Sequence, residues 1–339
     1  MNKSLFGTVA ALGIMAANTA LADTRLVVNC FWPPQHNVCT KILPGWLADV
    51  ERVTEGRVKG NIPPRSVAPP SEQLASVEKG IVDAAVQFNG LIGNRVNGAL
   101  VAMQPFAGGE NAEAMSQALW ETNRAFFPDE FDTVELLAQW VVTPGQLFSM
   151  TDKPITTVAD MDALKIWTLP GPITAMASAL GAGAVATPAV QSNEVISRGV
   201  VDAHFGLGGD AVKAFQVIPY TKSMTVFTQP VYSTSFSFVI NKDKWAEISP
   251  EDQEAIRGIS GVVLSMTGGR TWDEESAEVF ATFPDVGIAM VNADPALEQA
   301  LKDAAKPITA KWIEDATAAK IDAQGALDFY MNRVAELTK

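Results

Sequence analysis

Two segments of this sequence share one short pattern, in which a helix-like stretch ends in a basic residue and is followed by a glycine and an apolar strand. Residues 76–90 are SVEKGIVDAAVQFNG, and residues 195–209 are VISRGVVDAHFGLGG. Gly80 and Gly199 each lie where a helix C-cap favours a residue that can adopt positive φ. The recurrence predicts two lobes of similar α/β build, although short helix-to-strand turns are common enough to look alike by chance.

The rest of the chain also alternates predicted strands with predicted helices. Residues 25–29 are typical of a strand, and residues 39–53 place apolar side chains at helical spacing on one face. Ser249 is a strong helix start, because a proline and two acids follow it. We expect that helix to run to about residue 283, and the glycine pair 268–269 offers a point where it can bend. The alternation predicts an α/β fold with mostly parallel sheets covered on both faces.

Residues 1–22 have the pattern of a secretory signal peptide. Lys3 supplies a positive charge, residues 5–17 are apolar, and Ala20 and Ala22 are small residues before a cleavage point. The alternative is an N-terminal membrane anchor, but the apolar run is short for one. No later segment has the roughly 20 uninterrupted apolar residues that a membrane span needs. We therefore expect an exported mature protein that does not span a membrane.

The two cysteines of the chain, Cys30 and Cys39, lie close together in sequence. Export into an oxidising compartment permits a disulfide between them. Such a bridge closes a short loop and stabilises the fold by about 2–3 kcal/mol through the unfolded state. Two unpaired core cysteines are the alternative, because spacing alone does not fix the distance between the two Cα atoms. We expect the disulfide.

Composition excludes several classes of protein. Lys and Arg number 25 against 38 Asp and Glu, which gives a net charge of −13 and disfavours nucleic acid and anionic lipid as partners. With two histidines and two cysteines the chain cannot build a four-cysteine zinc site, and we predict no metal and no cofactor. P-loop, G-x-S-x-G and H-E-x-x-H patterns are absent from the sequence, and so few histidines disfavour acid–base catalysis.

A series of short motifs occurs along the chain in one order. In the second half these are Leu164-Lys165-Ile166, Leu180-Gly181-Ala182, Asn193-Glu194-Val195, Gly199-Val200-Val201-Asp202-Ala203, Val239-Ile240-Asn241 and Ser249-Pro250-Glu251-Asp252. The first half adds Trp32-Pro33-Pro34-Gln35-His36 and Glu72-Gln73-Leu74. In their order and spacing these motifs resemble the extracytoplasmic solute-binding proteins of TRAP transporters, the DctP-type family (tripartite ATP-independent periplasmic transporters). The resemblance covers essentially the whole mature chain.

This resemblance implies a two-lobed periplasmic-binding-protein-like fold with mixed, mostly parallel sheets. A cleft lies between the lobes, and one long helix spans both. The lobes would be interleaved, with residues 23–146 and 233–270 in lobe I and residues 147–232 and 271–339 in lobe II. The implied function is that of a periplasmic receptor, not an enzyme, which closes around a small organic solute and delivers it to the membrane permease subunits of a TRAP transporter.

The sequence departs from the family pattern where the solute binds. Most members have an arginine after the Lys-Ile of the lobe II strand, and its guanidinium clamps the carboxylate of the solute. Here Trp167 occupies that position. Many members also have an arginine near the position of Gln146 and a polar pair near that of His204 and Phe205.

Two interpretations of the cleft remain open. In the first, the solute is still an organic acid, and its cation comes from elsewhere, for example Arg65 or Arg95. In the second, an aromatic wall binds a methylated onium, betaine-like, aromatic or heterocyclic solute. That wall would consist of Trp32, Trp167, Phe205 and Tyr232.

Further candidates follow from the rule that ligands of open α/β sheets lie beyond the carboxyl ends of strands. The candidate ligand-binding residues are therefore Trp32, Gln87, Asn89, Gln146, Trp167, His204, Phe205 and Tyr232. Two other functions remain as alternatives, namely a ligand-sensing receptor for a signalling partner and an exported enzyme on a similar scaffold. An enzyme is disfavoured because no pattern resembles an assembled nucleophile, base and orienting group.

Overall fold

The computed structural model describes residues 24–93 and 95–339, and the predicted signal peptide lies outside these residues. The strands are β1 Thr24–Asn29, β2 Val58–Asn61, β3 Ala84–Phe88, β4 Val134–Val141, β5 Gln146–Ser149, β6 Lys165–Thr168, β7 Gly183–Ala186, β8 Ala203–Leu207, β9 Ser223–Val226, β10 Ser235–Asn241 and β11 Ala289–Asn292. The α-helices are α1 Leu43–Val53, α2 Gln73–Glu78, α3 Ala112–Phe126, α4 Val158–Met161, α5 Pro172–Ala179, α6 Ser192–Ser197, α7 Gly209–Ala214, α8 Lys242–Ala246, α9 Pro250–Ile259, α10 Gly261–Ala281, α11 Pro295–Ala318 and α12 Ala323–Leu337.

The strands form two sheets. The first has the order β2-β1-β3-β10-β4, in which β10 runs antiparallel to both of its neighbours. The second has the order β11-β9-β5-β8-β6-β7, in which β5 is the antiparallel member. The chain leaves the first sheet after β4, builds most of the second, returns for β10, and then adds β11. This is the two-lobed α/β fold with mixed sheets that the sequence predicts.

The repeated pattern forms the same turn in both lobes. Gly80 follows α2 and Gly199 follows α6, and both adopt φ +65°. Open space surrounds the position of a Cβ at either glycine, so the positive φ alone requires glycine there. The strands that follow, β3 and β8, are buried along their whole length.

The helix predicted from Ser249 begins there, because the Ser249 hydroxyl accepts a hydrogen bond from the backbone N–H of Asp252. It divides into α9 and α10 at Ser260, whose backbone is extended. The break therefore does not fall at Gly268 and Gly269, which lie inside α10. A Cβ on Gly269 would collide with the Ala112 carbonyl, so this glycine lets α10 approach α3 closely.

Helix α10 is the long helix that both lobes share. On one side it contacts α3 and β4 of the first lobe, and on the other it contacts α7 of the second. Gly209 of α7 lies so close to the backbone of Ser276 in α10 that a Cβ there would overlap it. The helix is therefore positioned to form part of any site between the lobes.

The C-terminal helices divide differently from the predicted lobe boundaries. Helix α12 packs on α3, beside the first sheet, although residues 271–339 were expected in lobe II. The Trp312 indole N–H of α11 donates a hydrogen bond to the Asn97 carbonyl at 2.8 Å. Buried apolar residues of α12, including Leu327 and Tyr330, share a core cluster with Leu119 of α3. The apolar face of α12 therefore packs the C-terminal end of the chain against the first lobe.

Cys30 and Cys39 form a disulfide with their Cα atoms 5.8 Å apart, which confirms the predicted bridge. It closes the loop between β1 and α1. Within residues 24–93 and 95–339, no helix combines the length and the apolar character needed to cross a membrane.

Candidate functional site

A cavity lies between the two sheets, where β3, β6 and β8 end and β10 begins. Counted together with the open solvent at its mouth, it holds about 610 Å³ of space that no protein atom fills. The first lobe contributes Phe31, Trp32, His36, Pro70, Phe88, Leu91, Thr234 and Phe236. The second contributes Leu169, Pro188, Ala189, Val190, Gly206, Leu207, Gly208, Asp210, Ala211 and Phe215, and Trp272 comes from α10.

Six aromatic side chains line this cavity, and five of them form a connected series of ring contacts. The rings of Phe31 and Trp32 stack with centroids 3.8 Å apart. Trp32 lies 5.1 Å from Phe236, which in turn lies 5.3 Å from Phe88. Phe236 and Trp272 are nearly parallel at 6.0 Å. These five rings form one aromatic wall. The sixth ring, Phe215, follows α7 and contacts the His36 ring, with the centroids 6.0 Å apart.

The loop after β1 carries the first part of this wall. β1 is buried at its carboxyl end, and the chain then turns through the Cys30–Cys39 bridge. The bridge holds the segment that contains Phe31 and Trp32 against the start of α1. His36 lies in the same loop, and its ring stacks on Trp32 at 5.2 Å.

Two glycines lie among the residues that the second lobe contributes to the cavity. Gly206 adopts φ +113° at the end of β8, and an added Cβ on Gly145 would overlap the Gly206 backbone. Gly208 lies against the Thr143 hydroxyl. Both glycines and Leu207 between them line the cavity, and Asp210 follows in α7.

Two ionisable side chains, His36 and Asp210, are found among the described residues that line the cavity. They come from different lobes, and His36 Nε2 lies 3.7 Å from Asp210 Oδ2. Burial lowers the pKa of His36 to about 3, so its ring is neutral near neutral pH. Its Nδ1 accepts a hydrogen bond from the Val38 N–H at 3.3 Å.

Among the described residues, one oxygen of the Asp210 carboxyl group accepts a side-chain hydrogen bond. The Ser276 hydroxyl donates to Asp210 Oδ1 at 3.0 Å, and Ser276 also bonds the Thr143 hydroxyl at 2.7 Å. Asp210 Oδ2 has no hydrogen-bond partner among the described residues. Burial raises the pKa of Asp210 to about 7, whereas the Ser276 hydroxyl, the Ala211 N–H and the Trp272 indole act against this rise.

Lysine and arginine are absent from the described residues that line the cavity. Arg95, one predicted source of a cation, forms an ion pair with Glu78 and lies elsewhere. Arg65, the other, is exposed and lines a neighbouring depression that it shares with Phe31 and Trp32. The carboxylate clamp expected from the family pattern has no cationic counterpart in this cavity.

Of the predicted site residues, Trp32 lines the cavity and the amides of β3 do not. Gln87 Oε1 accepts from the Leu74 N–H, and its Nε2 donates to the Phe88 carbonyl. Asn89 is buried and bonds the hydroxyls of Ser235 and Ser237. Both amides therefore hold secondary structure together, because their polar atoms are occupied by neighbouring strands and helices.

Trp167 and His204 lie on one face of the second sheet, away from the cavity. They are direct partners in the pairing of β6 with β8, and neither is exposed. The Trp167 indole N–H donates to the Thr187 hydroxyl at 2.7 Å. His204 stacks on Phe148 at 4.5 Å, and its Nε2 bonds the Thr221 hydroxyl at 3.2 Å. Neither residue is among those that line the cavity.

The remaining three candidates also lie outside the lining. Phe205 is fully buried and stacks with Phe227. Tyr232 is buried, with no hydrogen-bond partner for its hydroxyl among the described residues. Gln146 lines a separate depression, and its Nε2 donates to the Pro144 carbonyl. Of the four rings that the sequence suggested for an aromatic wall, Trp32 is the one that lines the cavity.

Sequence reasoning missed most of the residues that line the cavity. Phe31 and Phe88 are immediate neighbours of the predicted Trp32 and Gln87, so adjacency could have found them. Asp210 is the residue directly after the second repeated pattern. Trp272 lies in the middle of α10, and no local signal marks it.

A family model and a known protein each match most of this chain. Residues 28–315 match the family model DctP, described as bacterial extracellular solute-binding protein, family 7. The chain is 33% identical over 330 residues to the outer membrane transporter protein TsaT of Comamonas testosteroni, with 97% of each chain covered.

Two solved structures share this fold, with sequence identities of 30% and 25%. A TRAP periplasmic solute-binding protein of Bordetella bronchiseptica with bound (R)-mandelate and (S)-mandelate has a TM-score of 0.86 at 30% identity, covering 92% of this chain and 99% of that one. A TRAP solute-binding protein of Rhodoferax ferrireducens in complex with copurified benzoate has a TM-score of 0.84 at 25% identity, covering 93% and 98%. The family match, the fold and the cleft agree, and this chain belongs to family 7 of the bacterial extracellular solute-binding proteins, receptors for small organic solutes.

Proposed function

We propose that this chain is the periplasmic receptor of a TRAP-type secondary transporter and that its solute is a small aromatic acid. The observation that carries the choice of solute is the cavity between the lobes, which six aromatic side chains line from both sides. Aromatic rings in offset or edge-to-face contact gain about 0.5–1.5 kcal/mol per pair beyond the burial of their area. A flat ring is therefore the shape that this cavity favours.

The relatives support an acid in particular. The solved structures from Bordetella bronchiseptica and Rhodoferax ferrireducens hold mandelate and benzoate, each of which joins one benzene ring to a carboxylate. A four-carbon dicarboxylate fits less well, because it brings two charges and no ring. An onium or betaine solute fits the rings, but the relatives give it no support.

The receptor role follows from where the rings lie. Phe31 and Trp32 belong to one lobe and Phe215 to the other, so a bound ring contacts both. A solute that contacts both lobes binds the closed form more tightly than the open form and shifts the population toward it. The closed, loaded receptor is the form that the membrane subunits would accept.

A thermal-shift screen of the mature protein tests the choice of solute. Benzoate and mandelate should raise the melting temperature, because a ligand at 100 times its Kd adds about 2.7 kcal/mol of stability. Succinate and glycine betaine, at the same concentration, should have little effect. Stabilisation by succinate or betaine alone would contradict the proposal.

Phe31→Leu should weaken benzoate binding, because it removes a ring at the mouth of the cavity. Phe329→Leu is the matched control, since Phe329 is an exposed ring on α12 and does not line the cavity. Transport itself is tested by uptake of labelled benzoate into vesicles that contain the membrane subunits. Uptake that proceeds equally well without this protein would contradict the receptor role.

A further inference from the structure

An aromatic acid brings a negative charge into a cavity with no lysine or arginine among its described lining residues. Burial of a carboxylate without hydrogen-bond donors carries a large desolvation cost. The ionisable groups that the cavity offers are His36 and Asp210, one from each lobe. Both are nearly inaccessible to solvent, with exposed fractions of 3% and 4%.

His36 presents a hydrogen-bond donor to the cavity. Because its Nδ1 accepts from the Val38 N–H, the neutral ring carries its proton on Nε2. Nε2 is 3.7 Å from Asp210 Oδ2, which is longer than a hydrogen bond. The Nε2–H group is therefore available to a third group that approaches both side chains from the cavity.

Asp210 can present a second donor beside it. Oδ1 is occupied by the Ser276 hydroxyl, whereas Oδ2 has no partner among the described residues. A proton on Oδ2 would turn this atom into a donor that faces the cavity. Carboxylic acids kept neutral by an apolar site are known to act as donors to an anionic oxygen.

Resting on the aromatic-acid receptor function, we propose that the Nε2–H of His36 and a protonated Oδ2–H of Asp210 together hold the carboxylate of the solute. Each donor bonds one carboxylate oxygen, and the pair does the work of the arginine that most members of the resembled family have. When Asp210 is ionised in the empty cleft, binding takes up one proton from solvent. That proton stays on Oδ2, so the solute anion and one proton enter together.

The surrounding charges agree with this proton uptake. Glu275 of α10 disfavours the ionised form of Asp210, and Glu275 is itself paired with Lys41 at 2.5 Å. Lys213, on the same helix as Asp210, is exposed. With the pKa of Asp210 about 7 and that of His36 about 3, the pair is uncharged between about pH 3 and pH 7.

Benzoate affinity should therefore depend on pH in one direction. We expect a constant Kd between about pH 5.5 and 6.5, and a Kd that rises toward tenfold per pH unit above about pH 7. Isothermal titration in buffers of different ionisation enthalpy should show close to one proton taken up per benzoate at about pH 8.5, and almost none at about pH 6.

Two substitutions of Asp210 separate the donor from its charge. Asp210→Asn supplies an amide donor that does not titrate, so benzoate should bind with a pH-independent Kd, and roughly tenfold or more tighter than the wild type at about pH 8.5. Asp210→Leu should lose affinity at both pH values. Asp152→Asn is the control, because Asp152 is an exposed carboxylate outside the cavity lining. Circular dichroism verifies that each variant is folded.

Three results would overturn this assignment. If benzylamine binds more tightly with rising pH and Asp210→Asn abolishes that binding, Asp210 holds a cation instead. If benzyl alcohol binds as tightly as benzoate, the carboxylate is not recognised, although the aromatic receptor function stands. If benzoate, mandelate, benzylamine and benzyl alcohol all fail to bind the folded wild type, the proposed function fails together with the assignment.

Discussion

The rings of Phe236 and Trp272 lie with their centroids 6.0 Å apart and their planes within 10° of parallel. Phe236 is at the start of β10, and Trp272 is on α10, the helix that contacts both lobes. Trp32 also contacts Phe236, so the wall is braced from the loop, the sheet and the helix. This bracing favours a pre-formed aromatic surface, which lowers the ordering cost of binding a flat ring.

Phe236→Leu should weaken benzoate binding between about twofold and tenfold, because it removes aromatic contacts worth about 0.5–1.5 kcal/mol. Isothermal titration at about pH 6 measures the change. Phe238→Leu is the matched control on the same strand, since Phe238 packs on Trp46 and Trp140 and does not line the cavity. It should lower stability but leave the Kd of benzoate within about twofold. An equal loss of affinity in both variants would mean that damage to the fold, not loss of a ring, causes it.

Trp167→Phe should lower the free energy of unfolding by about 1–3 kcal/mol and leave benzoate affinity unchanged. The substitution removes the hydrogen bond to the Thr187 hydroxyl and part of a fully buried ring. Urea denaturation and isothermal titration measure the two quantities. Trp167→Arg is less informative, because it would bury a guanidinium at a fully buried position and should destabilise the fold itself.

A double-mutant cycle with Thr187→Val isolates the Trp167 hydrogen bond. The coupling energy between the two positions should be about 0.5–1.5 kcal/mol in favour of the native pair. A tenfold loss of benzoate affinity in Trp167→Phe, without loss of stability, would instead return Trp167 to the binding site.

The repeated turns could be predicted because their cause is local. A turn that needs φ +65° after a helix requires glycine, as at Gly80 and Gly199, and this glycine can be recognised in the sequence. The strand that follows it can then be predicted. The long helix was predicted at its start for the same reason, since Ser249 and its neighbours determine the cap. The break at Ser260 was not predicted, because the sequence offers the glycine pair 268–269 as the point where the helix can bend. These glycines lie inside α10, where Gly269 lets the helix approach α3 closely.

The binding residues could not be located in the same way. The family pattern led us to place Trp167 where most members have an arginine, but its indole N–H donates to the Thr187 hydroxyl and Trp167 does not line the cavity. The environment of Asp210 depends on Ser276, which is 66 residues away in sequence. Long-range packing therefore decides which polar groups face the cleft, and spacing along the chain does not record it.

His204→Phe should make stability less sensitive to acid. Burial lowers the pKa of His204 from 6.5 to about 3, so between these values the unfolded chain binds a proton that the folded chain does not. His204 therefore costs the wild type stability as pH falls from about 6.5 toward 3, by at most about 1.4 kcal/mol per pH unit. Phenylalanine preserves the stacking on Phe148, and the Thr221 hydroxyl keeps its hydrogen bond to the Val217 carbonyl.

Urea denaturation of both proteins at about pH 7, 5 and 4 checks this expectation. The stability of His204→Phe relative to the wild type should rise as pH falls. His36 and Asp210 also titrate with shifted pKa values, but both are present in the two proteins, so their contributions cancel in the difference. Stability curves that run parallel down to about pH 4 would show that His204 is already protonated in the folded state.

Gly80→Ala and Gly199→Ala should each destabilise the protein by about 1–2 kcal/mol, because alanine is strained at φ +65°. Open space around both positions excludes steric overlap as the cause. Gly45→Ala is the matched control, since Gly45 is exposed inside α1 and also has open space around its Cβ position. There alanine should stabilise the helix by about 0.5–1 kcal/mol. Urea denaturation of the three variants should therefore show a lower free energy of unfolding for the two turn variants and a higher one for the helix variant. If Gly45→Ala lost as much stability as the turn variants, backbone strain at Gly80 and Gly199 would not explain their loss. The protein would then be intolerant of added methyl groups in general.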